Sequence, residues 1–522
     1  MAAGNESASI SSLLRGATIF DAGNERYRDL SLVAGALSTD GSSLAGYSNY
    51  PGADASVQSR FLLAPGTNAV QPDGAAINTP QAGLASFTGT SSSTPVVAAA
   101  AATLFAYWPH LDGTQVSSLL LSSTDRSFTG LYASNTCGST GNLNCGTFFF
   151  GQGRLDLQKA LAPAGTVRVQ TGMRVGEESH DVQASAIVLP AAFGDAAQGK
   201  VITSAVFDSY GRDFSFNLAQ RVGRSSTRLR VFGDEPAALV RNPAHPAISA
   251  LQPGGAMASP ALSYAAGRAG LSFDYGARSQ RTQANFGLGL ARDGQSPASG
   301  LGASMAAQWS ASDGVRLQMR SAFAGSHSGM RNEAAMEFQP LAATSVTLGQ
   351  AFTSEKALLG TTGSGALAVN GSTGSARFVR LRRDLGPGWS VFGHVETGAL
   401  QVSGNRSLLA IRNVKTSQYG VGLAYQGSEQ SFGLALSQPL RADSASADFR
   451  LAAGRNLAGD VSYRTSTIRL RPSGRQLDLD LSYRMKLDSN ASLGALATVS
   501  RDAGHVAGAR DVGVAVTYQR RF

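Results

Sequence analysis

The sequence predicts a two-part protein: a partial α/β domain over residues 1–165, then an antiparallel transmembrane β-barrel of about twelve strands over residues 259–522. Three observations carry this. The first part alternates short apolar strands with Ala-rich helical stretches. From about residue 260 the chain instead repeats segments of roughly ten residues with period-two alternation. The length, 522 residues, also exceeds what one compact core holds.

In the first part, Leu32 to Leu37 reads as a strand, and Arg60 to Gly66 as a second apolar stretch. An Ala/Val-rich helix is expected from about Thr94, and another from Thr114 to Ser122. The longest apolar run, Val96 to Trp108, falls short of the ~18–20 residues of a membrane-spanning helix and reads as a buried helix. Residues 166–258 read as a connecting region, with a strand-like stretch from Val201 to Leu218 and a Pro/Gly cluster at 243–260.

The last part is the most regular. In Leu477 to Leu487, Leu477, Leu479, Leu481, Tyr483, Met485 and Leu487 share one strand face, and Asp478, Asp480, Ser482, Arg484 and Lys486 the other. Val315, Leu317 and Met319 alternate with Arg316, Gln318 and Arg320 in the same way. A soluble sandwich would bury the apolar face; a membrane barrel turns it to lipid and keeps the polar face in a wet lumen. Segments of ~9–11 residues match a tilted bilayer span, whereas soluble strands average nearer 5–6. The final strand sets Val512, Val514, Val516, Tyr518 and Phe522 on one face. It resembles the C-terminal strand of bacterial outer-membrane barrels, which implies that Tyr518 and Phe522 serve as an insertion signal; Arg520 interrupts the apolar row.

The formal net charge is +9, but the Arg residues are scattered and form no basic run, which disfavours a nucleic-acid partner. Cys137 and Cys145 bracket a Gly- and Asn-rich loop. They read as a short-loop disulfide of an exported protein, against two unpaired thiols of a cytosolic loop. No His or further Cys lies near them to make a metal site. Nothing calls for a cofactor, and the sequence is silent on calcium.

The strongest local signal is Gly89-Thr-Ser91-x-Ser93-x-Pro95-x-Val97-Ala98. Gly89 lets the backbone pass close to a substrate. Ser91 would stand at a helix start, where free N–H groups favour developing negative charge. Pro95 is expected in the first helical turn, where it is tolerated. The competing interpretation is a plain Ser/Thr N-cap.

The surrounding order argues for chemistry. Gly89 to Ala98 resembles the nucleophile motif of subtilisin-like peptidases, the subtilases. Ala2-Ala-Gly-Asn5, Leu32 to Leu37, Ser48-Asn49, Ala64-Pro-Gly-Thr67 and Gly151-x-Gly153-x-x-Asp156 resemble further subtilase blocks in the same order. The resemblance implies that Ser91 is the nucleophile and that the Asn5 amide donates into the oxyanion hole. The family's Asp and His precede its Ser; here all six histidines follow Ser91, and His110 reads as a surface residue between helices. Met1 already aligns inside the Asn5 block and no signal peptide is visible, so the chain is expected to be N-terminally truncated and inactive as a peptidase by itself.

A subtilase followed by a barrel resembles autotransporters of type V secretion. That resemblance implies insertion by the barrel-assembly machinery into outer-membrane lipid. The passenger endopeptidase would be carried to the cell surface to act on protein or peptide substrates. The alternative is a catalytically dead, truncated outer-membrane protein acting as a structural protein or adhesin. A soluble esterase is disfavoured, since no Gly-x-Ser-x-Gly surrounds Ser91.

Overall fold

The computed structural model describes residues 1–10, 25–70, 84–224, 261–266, 268–275, 303–323, 329–359, 363–403 and 408–520. Phe522, and the Pro/Gly cluster before residue 261, lie outside the described residues. The chain divides into two compact units. The first holds Met1–Arg168, Phe207–Phe214 and Arg455–Asp460; the second holds Val169–Val206, Ser215–Gly454 and Val461–Phe522.

The first unit holds the short helix α1 (Glu25–Leu30) and is built on a small parallel sheet. Strands β1 (Val33–Leu37) and β2 (Phe61–Pro65) pair in parallel, Val33 opposite Phe61 and Leu37 opposite Pro65. Ala2 bridges Ala34 on the outer side of β1, and Arg154 bridges Leu63 on the outer side of β2, both parallel. Helices cover a parallel sheet on both faces, so its strands read as continuous apolar runs. Accordingly every residue of β1 is buried. Val33, Leu37, Phe61 and Leu63 pack with Val57 of α2 (Ala55–Arg60) and with Phe150. On the opposite face Ala34, Leu62 and Ala64 pack against Val97 and Leu121.

Two strands, β3 (Thr67–Val70) and β4 (Ala85–Thr88), pair antiparallel and lead into the long helix α3 (Thr90–Tyr107). Helix α4 (Gly113–Ser122) opens with a capping box, in which Asp112 and Gln115 satisfy each other's backbone N–H groups. Leu104 and Trp108 of the α3 end pack on Val116, Leu119 and Leu120 of α4 and on Ala160. Cys137 is joined by a disulfide to Cys145, the first residue of α5 (Cys145–Phe150), their Cα atoms 5.1 Å apart.

The second unit is dominated by one fourteen-stranded sheet, in which each consecutive pair along its path is antiparallel. It is close in size to the twelve or so segments counted from the sequence. Its polarity is inverted relative to a soluble sheet. In the strand Leu477–Lys486, Leu479 and Leu481 are 48% and 44% exposed, while Asp478 and Asp480 are 3% and 0% exposed. In the last strand, Arg510–Arg520, Val512, Val514, Val516 and Tyr518 all face outward. The buried face carries Arg331, Glu333, Glu396, Gln418, Gln438 and Arg441. Water would drive the reverse arrangement, because burying charge is unfavourable and apolar surface is expelled from water. Among the described residues, no helix is long and apolar enough to cross a membrane.

One strand, Gln430–Arg455, runs for 26 residues. Its first part pairs with Leu477–Lys486, and its far part pairs with Val461–Arg469. Leu434 and Leu436 are exposed near its start, whereas Ala445, Ala447, Phe449 and Leu451 are buried further along. The stretch 169–206 packs on loops of this sheet. Ser364 Oγ donates to Ala184 O at 2.7 Å, and the Asp195 carboxylate accepts from Ser473 N and Oγ at 2.9 and 2.6 Å.

Candidate active site

The parallel strands of the first unit end beside α3, and the quoted motif sits at that edge. Ligand sites of open α/β sheets commonly lie outside the carboxyl ends of the strands. Gly89 precedes α3 with φ +142°, a region that side chains rarely adopt. Its N–H donates to Gly66 O at 2.9 Å, which ties the motif to the Ala64–Thr67 block. Ser91 is exposed at the second position of α3, while Thr90, Ser92 and Ser93 are buried.

Asn5 and Ser91 are brought together. The Asn5 Oδ1 accepts from Thr90 N at 2.9 Å and from Thr90 Oγ1 at 3.0 Å. Thr90 Oγ1 in turn accepts from Gly4 N at 3.1 Å. With Oδ1 engaged by a backbone donor, the remaining Asn5 group, Nδ2, is a pure donor. A Cβ placed on Gly89 would sit 3.5 Å from Asn5 Nδ2 and 3.7 Å from Ser91 N. Two N–H donors therefore border one small space above Gly89, next to the Ser91 side chain. Donors held ready around such a space are what an oxyanion hole requires.

The loop carrying Asn5 is pinned by Asn49, which is buried. Asn49 Oδ1 accepts from Glu6 N and Ala8 N at 3.0 and 2.9 Å, and its Nδ2 donates to Ala3 O at 3.0 Å. Thr90 and Asn49 are the positioning residues that sequence reasoning passed over. Their signal lay in the quoted blocks, but only the fold shows which atoms they hold. A methyl group on Gly89 would enter the donor space and strain the backbone. Gly89→Ala is expected to destabilise the unit by about 1–3 kcal/mol, read as the loss in thermal denaturation midpoint of the purified chain.

Helix α3 starts at Thr90, four residues before the expected Thr94. Pro95 thus lies in the second turn, not the first, and cannot return a hydrogen bond to the Ser91 carbonyl. Tertiary bonds hold the early turn in place. Ser93 Oγ donates to Ala64 O and Pro65 O at 3.2 and 3.1 Å, and Asn68 Nδ2 donates to Ser92 Oγ at 2.7 Å.

His110 is the one histidine within residues 1–168 of the sequence. It follows the far end of α3, roughly 25 Å from Ser91 at 1.5 Å per helical residue. It is too remote to take the serine's proton. It is also not a free surface group: it is half-buried and its Nε2 is buried without a hydrogen-bond partner. Burial, then the Arg455 charge, hold the ring below the ordinary value of 6.5. The unfolded chain therefore binds this proton more readily, so the His110 contribution is complete above pH 6.5 and is lost as pH falls below it. The thermal midpoint of the first unit should fall as pH drops below 6.5, and His110→Gln should flatten that fall. An unchanged slope in the variant would remove His110 as the cause.

Residues 1–146 match the model of the subtilase family, Peptidase_S8. This segment is similar to subtilases. The match spans the Asn5, Asn49, Ala64–Thr67 and Ser91 blocks and ends just after Cys145. No curated protein sequence matches the chain. Among solved structures, the toluene transporter TodX of Pseudomonas putida is 10% identical over 42% of this chain and 74% of its own, with a TM-score of 0.28. OmpT, an outer membrane protein of Vibrio cholerae, is 11% identical over 49% of this chain and 99% of its own, with a TM-score of 0.23. A bacterial polysaccharide outer membrane secretin is 10% identical over 50% of this chain and 78% of its own, with a TM-score of 0.26. The chain carries a subtilase-like segment followed by a large antiparallel sheet. The membrane assignment rests on the inverted polarity of that sheet.

Proposed function

We propose that the chain is an outer-membrane autotransporter whose passenger is a subtilisin-like serine endopeptidase. The supporting observation is the joining of a subtilase segment to a sheet that buries its charges and exposes Leu479, Leu481, Val512 and Val514. Such a sheet suits a lipid surround, closed as a barrel with a wet lumen. In this reading residues 1–165 are the peptidase part, 166–258 the connecting region and 259–522 the barrel. The barrel resides in the outer membrane and delivers the passenger to the cell surface, with Tyr518 and Phe522 serving as the insertion signal.

Ser91 is the nucleophile of this reading, and the Ser91 N–H with Asn5 Nδ2 are the oxyanion donors. Attack of Ser91 Oγ on a scissile carbonyl would place the new oxyanion in the space between them. The step also needs a base to accept the hydroxyl proton, and the sole histidine of residues 1–168 stands at the wrong end of α3. The 522 residues by themselves are therefore expected to label slowly at Ser91 with a fluorophosphonate, at a rate close to that of a Ser91→Ala control. In subtilisin, loss of a triad member lowers turnover by on the order of a million-fold. Rapid, Ser91-dependent labelling would show that a base is at hand. Partition of the purified chain into detergent, with heat-modifiable migration in SDS, tests the barrel; free solubility without detergent would overturn it.

A further inference from the structure

The subtilase match ends at residue 146, yet the first unit is completed by a segment some sixty residues further on. The turn Asp208-Ser-Tyr-Gly-Arg212 docks on the end of helix α6 (Leu157–Leu161) and on the α3–α4 core. Arg212 and Asp208 are both fully removed from solvent. Arg212 Nε donates to Asp208 Oδ2 at 2.9 Å, Nη1 to Ala160 O at 2.6 Å and Nη2 to Ala162 O at 2.8 Å. Those carbonyls belong to a helix C-terminus, where acceptors are left without intrahelical partners and a cation is favoured. The guanidinium lies 4.7 Å from the Trp108 ring centre and 5.4 Å from that of Phe214.

Asp208 is saturated in the same way. Its Oδ1 accepts from Tyr210 N and Arg212 N at 2.9 and 3.0 Å, and its Oδ2 also accepts from Ala164 N at 3.0 Å. Tyr210 Oη and Ser118 Oγ share a bond of 3.2 Å. A buried ion pair with every hydrogen bond met is strongly held, because separating it strands two charges in an apolar site. The intervening stretch Val169–Val206 belongs to the other unit, so the chain leaves the peptidase unit and returns to it to place this turn, and once more with Arg455–Asp460.

We infer that the 208–212 turn is a retention clamp. It binds the peptidase unit to the downstream polypeptide independently of the backbone, so that a chain cut between 165 and 168 stays together as a non-covalent pair. The inference concerns attachment and does not depend on whether Ser91 is catalytic.

A site-specific protease sequence inserted at the exposed Thr166, ahead of the stretch that packs on the sheet, allows the test. After cutting, the full chain is captured natively through a C-terminal tag, and the N-terminal fragment is followed by immunoblot. The fragment is expected to co-purify through extended washing. With Arg212→Met or Asp208→Asn it should be lost faster by on the order of a hundred-fold or more. Tyr210→Phe, which removes only the bond to Ser118, should retain it. Release of the wild-type fragment on cutting, or equal retention in all variants, would overturn the clamp.

Discussion

Removing Arg331 alone should unfold the sheet at a markedly lower denaturant concentration, a loss of about 3–5 kcal/mol. Arg331 lies on the buried face of Gly329–Leu341 and binds Glu396 in bidentate fashion, at 3.0 and 2.8 Å. Its Nε also donates to Glu333 at 2.9 Å. Arg380, 3.4 Å from the Glu333 carboxylate, completes the group while its guanidinium covers the Phe378 ring at 4.0 Å. The cluster links three strands. Arg331→Met would leave two buried carboxylates without the cation that bridges them. The double variant Arg331→Met, Glu396→Met removes one carboxylate along with the cation, so it should recover much of the loss. Urea denaturation in detergent, followed by the shift between folded and unfolded bands, measures both. Equal losses in the single and double variants would show that packing, not charge, holds the three strands.

A cation placed on the opposite face should have the converse meaning. Leu481 is centred in its strand and faces outward beside Leu479. If lipid lies against it, Leu481→Arg is expected to destabilise the folded sheet by about 2–4 kcal/mol, the depth-dependent figure for a charge at mid-bilayer. Leu457, 72% exposed in the turn before Val461–Arg469, serves as the control. Leu457→Arg should change stability by no more than about 0.5 kcal/mol, as ordinary surface substitutions do. If Leu481→Arg were equally silent, the exposed leucines would be meeting water, and the barrel reading would fail.

The alternation that predicts the sheet is legible because side-chain direction in a strand depends only on parity, so Leu477 to Leu487 declares both faces locally. What parity cannot show is partner choice. Arg331, Glu333, Arg380 and Glu396 are spread over 65 residues and meet only through strand register. The serine motif is legible for a related reason: its residues are contiguous and serve one turn of backbone. The start of α3 is not. Thr90 to Ser93 are poor helix formers by propensity, and they become helical because Asn5, Ala64 and Asn68 hold their side chains from distant segments. The half-buried setting of His110 is not legible either, because nothing local signals that the 207–214 segment returns beside it.

The 26-residue strand Gln430–Arg455 changes its pattern of burial along its length, and its side chains mark where. Up to about Gln438 the outward positions are Leu434 and Leu436; beyond Arg441 they become Ser444, Ser446, Asp448 and Arg450, while the inward row turns to Ala445, Ala447, Phe449 and Leu451. If lipid surrounds the sheet, the waterline falls within Gln438–Arg441. Below it some ten residues span the oil, as a tilted strand requires. Above it the same strand continues as the wall of an aqueous rampart with a conventional dry interior, so a single ribbon obeys both rules of burial and carries its own depth gauge.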